Sequence, residues 1–108
     1  MFSRKKQPKV KEPSEREIRV KQITSEVEQL SEGQTLIYKL PEFYWSGFAA
    51  FLIVELNPSY PEKGRKYIMS TDKANDGKPA GHKVRSWESN KPKDIADWIA
   101  PKSGVRFS

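Results

Sequence analysis

The feature that most constrains this fold is an almost unbroken apolar run from Phe48 to Leu56. Phe, Ile and Val dominate the run, and these residue types favour strands. A strand that is apolar on both sides is buried on both faces, so it belongs at the centre of a sheet. The longest apolar stretch, Phe43 to Val54, is twelve residues long, whereas a membrane-spanning helix needs about 20. The run therefore predicts a central strand in a soluble protein without a membrane segment.

Three further segments have residue patterns typical of strands. They are Gln34 to Leu40, Arg65 to Thr71 and His82 to Glu88. Residues 57–61 contain two prolines and residues 72–81 contain two glycines, so both segments are predicted to be turns or loops, with a tight turn at Asp76-Gly77. Connections of about two to ten residues favour antiparallel neighbours, because a parallel crossover usually needs a dozen or more residues.

An N-terminal helix is predicted over residues 15–31. Ser14 and Glu17 have the spacing of a capping box, in which each side chain accepts a hydrogen bond from the other residue's backbone. Gly33 would end the helix in a left-handed conformation. Apolar alternation at the start of the segment leaves open a strand over residues 16–23 with a shorter helix after it. Four apolar residues at helical spacing favour the single helix: Val20, Ile23, Val27 and Leu30.

A short C-terminal helix is predicted after the fourth strand. Asn90 is a candidate N-cap, Pro92 suits the first turn, and Pro101 disfavours helical geometry at the residue before it. The order helix, four strands, helix predicts an α+β fold, in which a four-stranded, mostly antiparallel sheet is covered on one face by an N-terminal and a short C-terminal helix. Three apolar residues share one face of this second helix: Ile95, Trp98 and Ile99.

Residues 1–13 are predicted to be a disordered basic tail. Five Lys or Arg residues precede the first acidic residue there, and few side chains could join a core. The remaining residues, 14–108, are predicted to form a single domain, because a chain of 108 residues is long enough for one core. No apolar signal-peptide region follows the tail and the chain has no Cys, so we expect a cytoplasmic protein.

Composition excludes several kinds of site. With no Cys and one His, the chain supplies neither a thiol nucleophile nor a zinc site of cysteines and histidines. The loop that begins at Asp72 has two acidic residues at calcium-ligand positions, but Ala74 and Lys83 occupy positions that need oxygen ligands. Neither a phosphate-binding glycine pattern nor a nucleophile elbow is present. We therefore predict no metal, no cofactor and no catalytic residue.

Charge is distributed unevenly along the chain. Residues 1–23 carry a net charge of +5, residues 24–62 carry −5 and residues 63–108 carry +6. In the last segment, cations are interleaved with aromatic residues, and alternation places Lys83, Arg85 and Trp87 on one face of the fourth strand. Such a face can hold phosphates with its cations and stack a base on the indole.

The first hypothesis is therefore a nucleic-acid-binding or regulatory module that uses a basic sheet face, with the basic tail adding nonspecific phosphate contacts. The alternative for this face is that Trp87 belongs to the core and the cations only face solvent. The predicted nucleic-acid contacts are Lys66, Lys73, Lys78, Lys83, Arg85 and Trp87.

The second hypothesis is a protein-interaction module. Phe43, Tyr44 and Trp45 lie between the first and second strands, in the acidic segment of the chain. Exposed together, they would form an apolar patch that binds a protein. A strand that begins earlier would place them in the core instead. The apolar face of the N-terminal helix is a further candidate surface, for a homodimer.

Overall fold

The computed structural model describes residues 14–41, 49–102 and 105–107. Within these ranges the chain forms helices and antiparallel strands and is an α+β protein, as predicted. The elements in chain order are α1 (Glu15–Glu28), β1 (Thr35–Lys39), β2 (Phe51–Leu56), β3 (Tyr67–Asp72), β4 (Ala74–Asn75), β5 (Lys78–Pro79), β6 (Val84–Ser89), α2 (Pro92–Ile99) and β7 (Val105–Arg106).

The main sheet has the strand order β6-β3-β2-β1-β7, with every neighbouring pair antiparallel. The apolar run forms β2, which pairs with β1 on one side and with β3 on the other. Residues 51–54 and 67–70 are buried without alternation, so β2 and β3 are covered on both faces. This confirms the central strand that the apolar run predicted.

Both helices pack against one face of the main sheet. Val27 of α1 and Ile99 of α2 are fully buried, and burying a side chain of this size stabilises the fold by about 1.5–3 kcal/mol. The helices therefore dock through the apolar faces that their sequences predicted. On the sheet side, the residues of this core include Leu36, Tyr38, Leu52, Val54, Tyr67 and Met69.

The start of α1 is as predicted. Ser14 Oγ accepts a hydrogen bond from the Glu17 backbone N–H at 3.1 Å, and Glu17 Oε1 accepts one from the Ser14 backbone N–H at 3.0 Å. The capping box is therefore complete. Residues 16–23 are helical, so the alternative of a strand in this segment is wrong.

The end of α1 comes three residues earlier than predicted, at Glu28. The Leu30 N–H bonds to the Val27 carbonyl at 3.1 Å, which tightens the last turn and ends the helix. Gly33 does have a positive φ of 83°, but it lies in the turn that follows.

The predicted N-cap of α2 is also one residue off. Lys91 occupies the N-cap position without a side-chain cap hydrogen bond, and Pro92 follows it in the first turn. Asn90 instead accepts a hydrogen bond from the Lys66 backbone N–H at 2.8 Å. The Asn90 side chain thus joins the segment before β3 to the segment before α2. This is a tertiary contact, and the residue preferences at helix N-caps do not predict it.

The main sheet contains five strands, whereas four were predicted. The additional strand, β7, pairs with β1 through Tyr38↔Arg106 and Lys39↔Val105. Phe107, directly after it, packs edge-to-face on Phe51 with ring centroids 5.0 Å apart. A strand of two residues is too short to show alternation, so the sequence pattern did not reveal it.

The sheet face away from the helices is apolar along its centre. Phe51, Ile53 and Ile68 lie on this face and are at most 5% exposed. An ion pair between Lys83 Nζ and Glu55 Oε2, at 3.0 Å, crosses β3 on the same side. Burial on this second face is what distinguishes β2 and β3 from the strands next to them.

The predicted tail at 1–13 lies outside the described residues, so the tail and the domain boundary at residue 14 stay predictions. Neither α1 nor α2 is long and apolar enough to cross a membrane, which holds for all helices in the described ranges.

Tyr38 connects α1 to the sheet. Its side chain is 2% exposed, and its hydroxyl donates to Glu26 Oε1 at 2.5 Å. Glu26 Oε2 in turn lies 3.4 Å from Arg106 Nη1 on β7. Burial and the hydrogen bond to Glu26 raise the pKa of Tyr38, so the hydroxyl stays a donor at neutral pH. The Glu26 carboxylate thus joins α1, β1 and β7.

Tyr38→Phe removes this donor while keeping the ring. We expect the free energy of unfolding, measured by urea denaturation, to fall by about 1.5–3 kcal/mol, the range for a hydrogen bond to a charged group. Tyr60→Phe is the matched control, because Tyr60 is 43% exposed and its hydroxyl bonds to no described group. Equal stability of the two variants would show that the Tyr38–Glu26 contact contributes nothing.

Candidate nucleic-acid interface

β6 forms one edge of the main sheet and contains a β-bulge. Met69 of β3 lies opposite Trp87, whereas the next residue, Ser70, lies opposite Arg85. Ser86 is therefore the extra residue that has no partner in the ladder. Because Met69 faces the helices and Ser70 faces away from them, Trp87 and Arg85 lie on opposite sides of the sheet.

The prediction that Lys83, Arg85 and Trp87 share one face is therefore wrong. Strict alternation assumes one residue per step, and the bulge inserts one more between Arg85 and Trp87. Lys83 and Arg85 both lie on the face away from the helices. Each pairs there with an acid, Lys83 with Glu55 and Arg85 with Glu88, at 3.0 Å in both cases.

Trp87 is partly packed and partly exposed. Its ring lies against Trp98 of α2, with centroids 5.9 Å apart and the planes tilted by 49°. The residue nevertheless remains 38% exposed. Lys102 donates to the Trp98 carbonyl oxygen at 2.7 Å, its Nζ lies 5.1 Å from the Trp98 ring, and burial lowers the pKa of this lysine. Trp87 thus has a supported inner side and an open outer side.

Glu88 connects the two arginines at this edge. Its Oε2 accepts from the Arg85 guanidinium at 3.0 Å, and its Oε1 accepts from the backbone N–H of Arg65 at 2.9 Å. On the other side of Arg65, Asn57 Nδ2 donates to the Arg65 carbonyl oxygen at 2.9 Å. The backbone of Arg65 is therefore held at both ends, while its exposed side chain makes no ion pair with a described acid.

Arg65, Arg85 and Trp87 converge on one open hollow of about 520 Å³, which Glu88 and Asp94 also line. Guanidinium groups bind phosphate through several N–H donors, and an indole offers a stacking face to a base. Arg85 and Trp87 are among the predicted nucleic-acid contacts, whereas Arg65 is not. The only signal for Arg65 was the run of cations at 63–66, and nothing in the sequence showed that Glu88 would bind its backbone.

The other predicted nucleic-acid contacts do not line this hollow. Lys66 adjoins Arg65, and its Nζ lies 5.4 Å from the Tyr67 ring. Lys73 and Lys78 belong to the β4–β5 hairpin, beyond the opposite end of β3. Lys83 lies across β3, paired with Glu55. The structure therefore brings two of the six predicted residues together in one hollow and places the other four outside it.

Asp72 anchors the β4–β5 hairpin. The residue is 4% exposed, and its carboxylate accepts from the backbone N–H groups of Lys73 at 2.7 Å, Gly81 at 2.8 Å and His82 at 3.3 Å. At the tip, Asp76-Gly77 forms the predicted tight turn, with φ of 58° and 78° as a type I′ turn requires. The hydrogen bonds to Asp72 therefore hold the base of the hairpin beside the start of β6.

The predicted protein-binding residues Phe43, Tyr44 and Trp45 lie outside the described residues, so that surface stays a prediction. Within the part of the chain that the structure describes, His, Asp and Glu side chains form no group of three or more that could hold a metal ion.

Gly64 packs directly against the groups that hold Arg65. Its φ is 78°, and a Cβ added here would lie 2.6 Å from Glu88 Oε1 and 2.7 Å from Asn57 Nδ2. Only a residue without a side chain therefore allows the carboxylate and the amide to approach the backbone of Arg65 this closely.

Gly64→Ala is expected to destabilise the protein more than Gly33→Ala. Both glycines have positive φ, so each substitution costs about 1–2 kcal/mol of backbone strain. Gly33 has no atom within 4 Å of the added Cβ, whereas Gly64→Ala also displaces a hydrogen bond to a carboxylate and should cost at least about 1 kcal/mol more. Urea denaturation measures both, and equal losses would contradict the close packing at Gly64.

Comparison of the chain with protein-family models, with curated proteins and with solved structures found no match. Any function assigned to this protein therefore rests on its own side chains and their arrangement.

Proposed function

We propose that this protein binds nucleic acid along the edge strand β6. The observation that carries the proposal is the convergence of Arg65, Arg85 and Trp87 on a single open hollow. Many proteins hold nucleic acid by binding its phosphates and by stacking its bases on aromatic side chains. This hollow has side chains for both.

Arg85 keeps the capacity to bind a phosphate although it pairs with Glu88. Its side chain is 61% exposed, and the ion pair engages Nη1. A guanidinium has five N–H donors, so the remaining donors can bind a phosphate oxygen. Exposed ion pairs are worth about 0–1 kcal/mol, which makes rearrangement of this one inexpensive.

The distribution of charge in the fold supports the same side of the molecule. The chain that flanks β3 and β6 is rich in cations: residues 63–66 contain three cations and no acid, and residues 73–83 contain three cations and one acid. A polyanion is therefore attracted to this side of the sheet.

The proposal is tested by fluorescence anisotropy with labelled oligonucleotides at about 50 mM and about 200 mM salt. We expect Arg65→Ala and Arg85→Ala each to weaken binding and to reduce the salt slope by about one phosphate contact. Trp87→Ala should weaken binding at both salt concentrations by about 1–3 kcal/mol, the cost of losing one stacked base, and leave the slope unchanged.

Lys21→Ala is the matched control for these variants. Lys21 is an exposed cation on α1 and lines a different hollow, so its loss changes the net charge equally without touching the site. A loss of affinity with Lys21→Ala as large as with Arg65→Ala would place binding outside the hollow. Absence of binding by the intact chain at about 50 mM salt would refute the proposal.

A further inference from the structure

We infer that the nucleic acid bound at β6 is single-stranded, with one base stacked on Trp87 and its phosphates on the arginine side of the edge. This inference rests on the proposed function and goes further by naming the class of ligand. The first reason is the indole itself. In a duplex the faces of each base are covered by its neighbours, so stacking on an aromatic side chain first costs the unstacking of a base step, whereas an unpaired base stacks without that cost.

The second reason is that Trp87 is held ready for stacking. Trp98 supports its inner side, and Lys102 binds the Trp98 carbonyl and lies over the Trp98 ring. The Trp87 ring is therefore already held in place before a base stacks on its exposed side. A side chain that is ordered before binding loses less conformational entropy on binding, which favours a stacked complex.

The third reason is the separation that the β-bulge produces. Trp87 lies on the helix side of β6 and Arg85 lies on the other side, yet both line the same hollow at the edge. A single strand likewise separates flat bases from charged phosphates along its length. Because Glu88 already accepts from Arg85 Nη1, and because Glu88 and Asp94 both repel phosphate, a phosphate has to bind through the other donors of the two guanidinium groups.

The length of the edge suits several nucleotides. β6 has six residues, and at about 3.3 Å per residue it spans about 20 Å. Ser89 at its end pairs with Tyr67, next to Lys66 and Arg65, whereas Val84 at its start pairs with Thr71, next to the hairpin that carries Lys78. Cations thus lie near both ends of the strand, where they can bind phosphates of a nucleic-acid backbone that runs along β6.

The experiment compares four labelled ligands under one condition: single-stranded DNA, RNA of the same sequence, the corresponding DNA duplex, and inorganic polyphosphate. The oligonucleotides are about 12 nucleotides long, within the ~4–16 nucleotides that one OB fold, a common single-strand-binding domain, covers. We expect DNA or RNA single strands to bind at least about tenfold more tightly than the duplex or polyphosphate, and Trp87→Ala to weaken single-strand binding by about fivefold or more. Whichever single strand binds more tightly identifies the natural class, and either result supports the inference.

Trp87→Phe is the control for loss of packing in the Trp87→Ala variant. Phenylalanine keeps an aromatic ring against Trp98, so we expect single-strand affinity within about threefold of the original protein, since every aromatic face can stack on a base. Thermal unfolding of each variant checks that the fold is retained.

The outcomes separate this inference from the proposed function. Duplex binding as tight as single-strand binding, unaffected by Trp87→Ala but weakened by Arg65→Ala, would overturn the single-strand inference and leave nucleic-acid binding at β6 intact. Absence of binding to every oligonucleotide would overturn both. Polyphosphate binding equal to that of the single strands would show that the hollow recognises anions without stacking a base, which also overturns the inference.

Discussion

The burial of β2 and β3 on both faces holds the rest of this structure in place. On one side the helices pack against residues such as Leu52 and Met69, and on the other side Phe51, Ile53 and Ile68 are buried. β2 is apolar on both sides and residues 67–70 of β3 are also buried without alternation, so these two strands occupy the interior of the sheet. β1 and β6 then pair with their outer sides, which makes β6 an edge of the sheet.

The position of β6 at the edge has consequences for stability and for the proposed function. An exposed edge strand risks pairing with another chain, and proteins limit this with charged side chains and bulges. β6 has both devices, with Arg85 and Glu88 on the strand and a bulge at Ser86. The same bulge turns Trp87 towards α2 while Arg85 stays on the other side. A feature that protects the edge therefore also gives it an aromatic side and a cationic side.

Acidic and amide side chains organise the loops around this edge. Glu88 and Asn57 bind the backbone of Arg65, Asn90 binds the backbone of Lys66, and Asp72 binds three backbone N–H groups at the base of the hairpin. These contacts supply partners for main-chain groups that lie outside the strands. The same hydrogen bonds hold the backbone of residues 65 and 66, whose cationic side chains are exposed at the surface. The contacts that order this loop therefore also position its charges.

Sequence patterns alone determined the α+β class, the antiparallel order of the four long strands, the capping box at Ser14 and the tight turn at Asp76-Gly77. Each of these features depends either on interactions between residues close in the chain or on the periodicity of burial. Both are visible as patterns in the local sequence. The tertiary structure alone decided four other features. They are the bulge at Ser86, the two-residue strand β7, the hydrogen bond that Asn90 accepts from Lys66, and the position of Arg65 at the hollow. They depend on groups from distant parts of the chain, such as Arg65 and Glu88, whose meeting no local pattern records. The face on which Trp87 lies belongs to the second kind, because one inserted residue reverses the alternation from which its face was inferred.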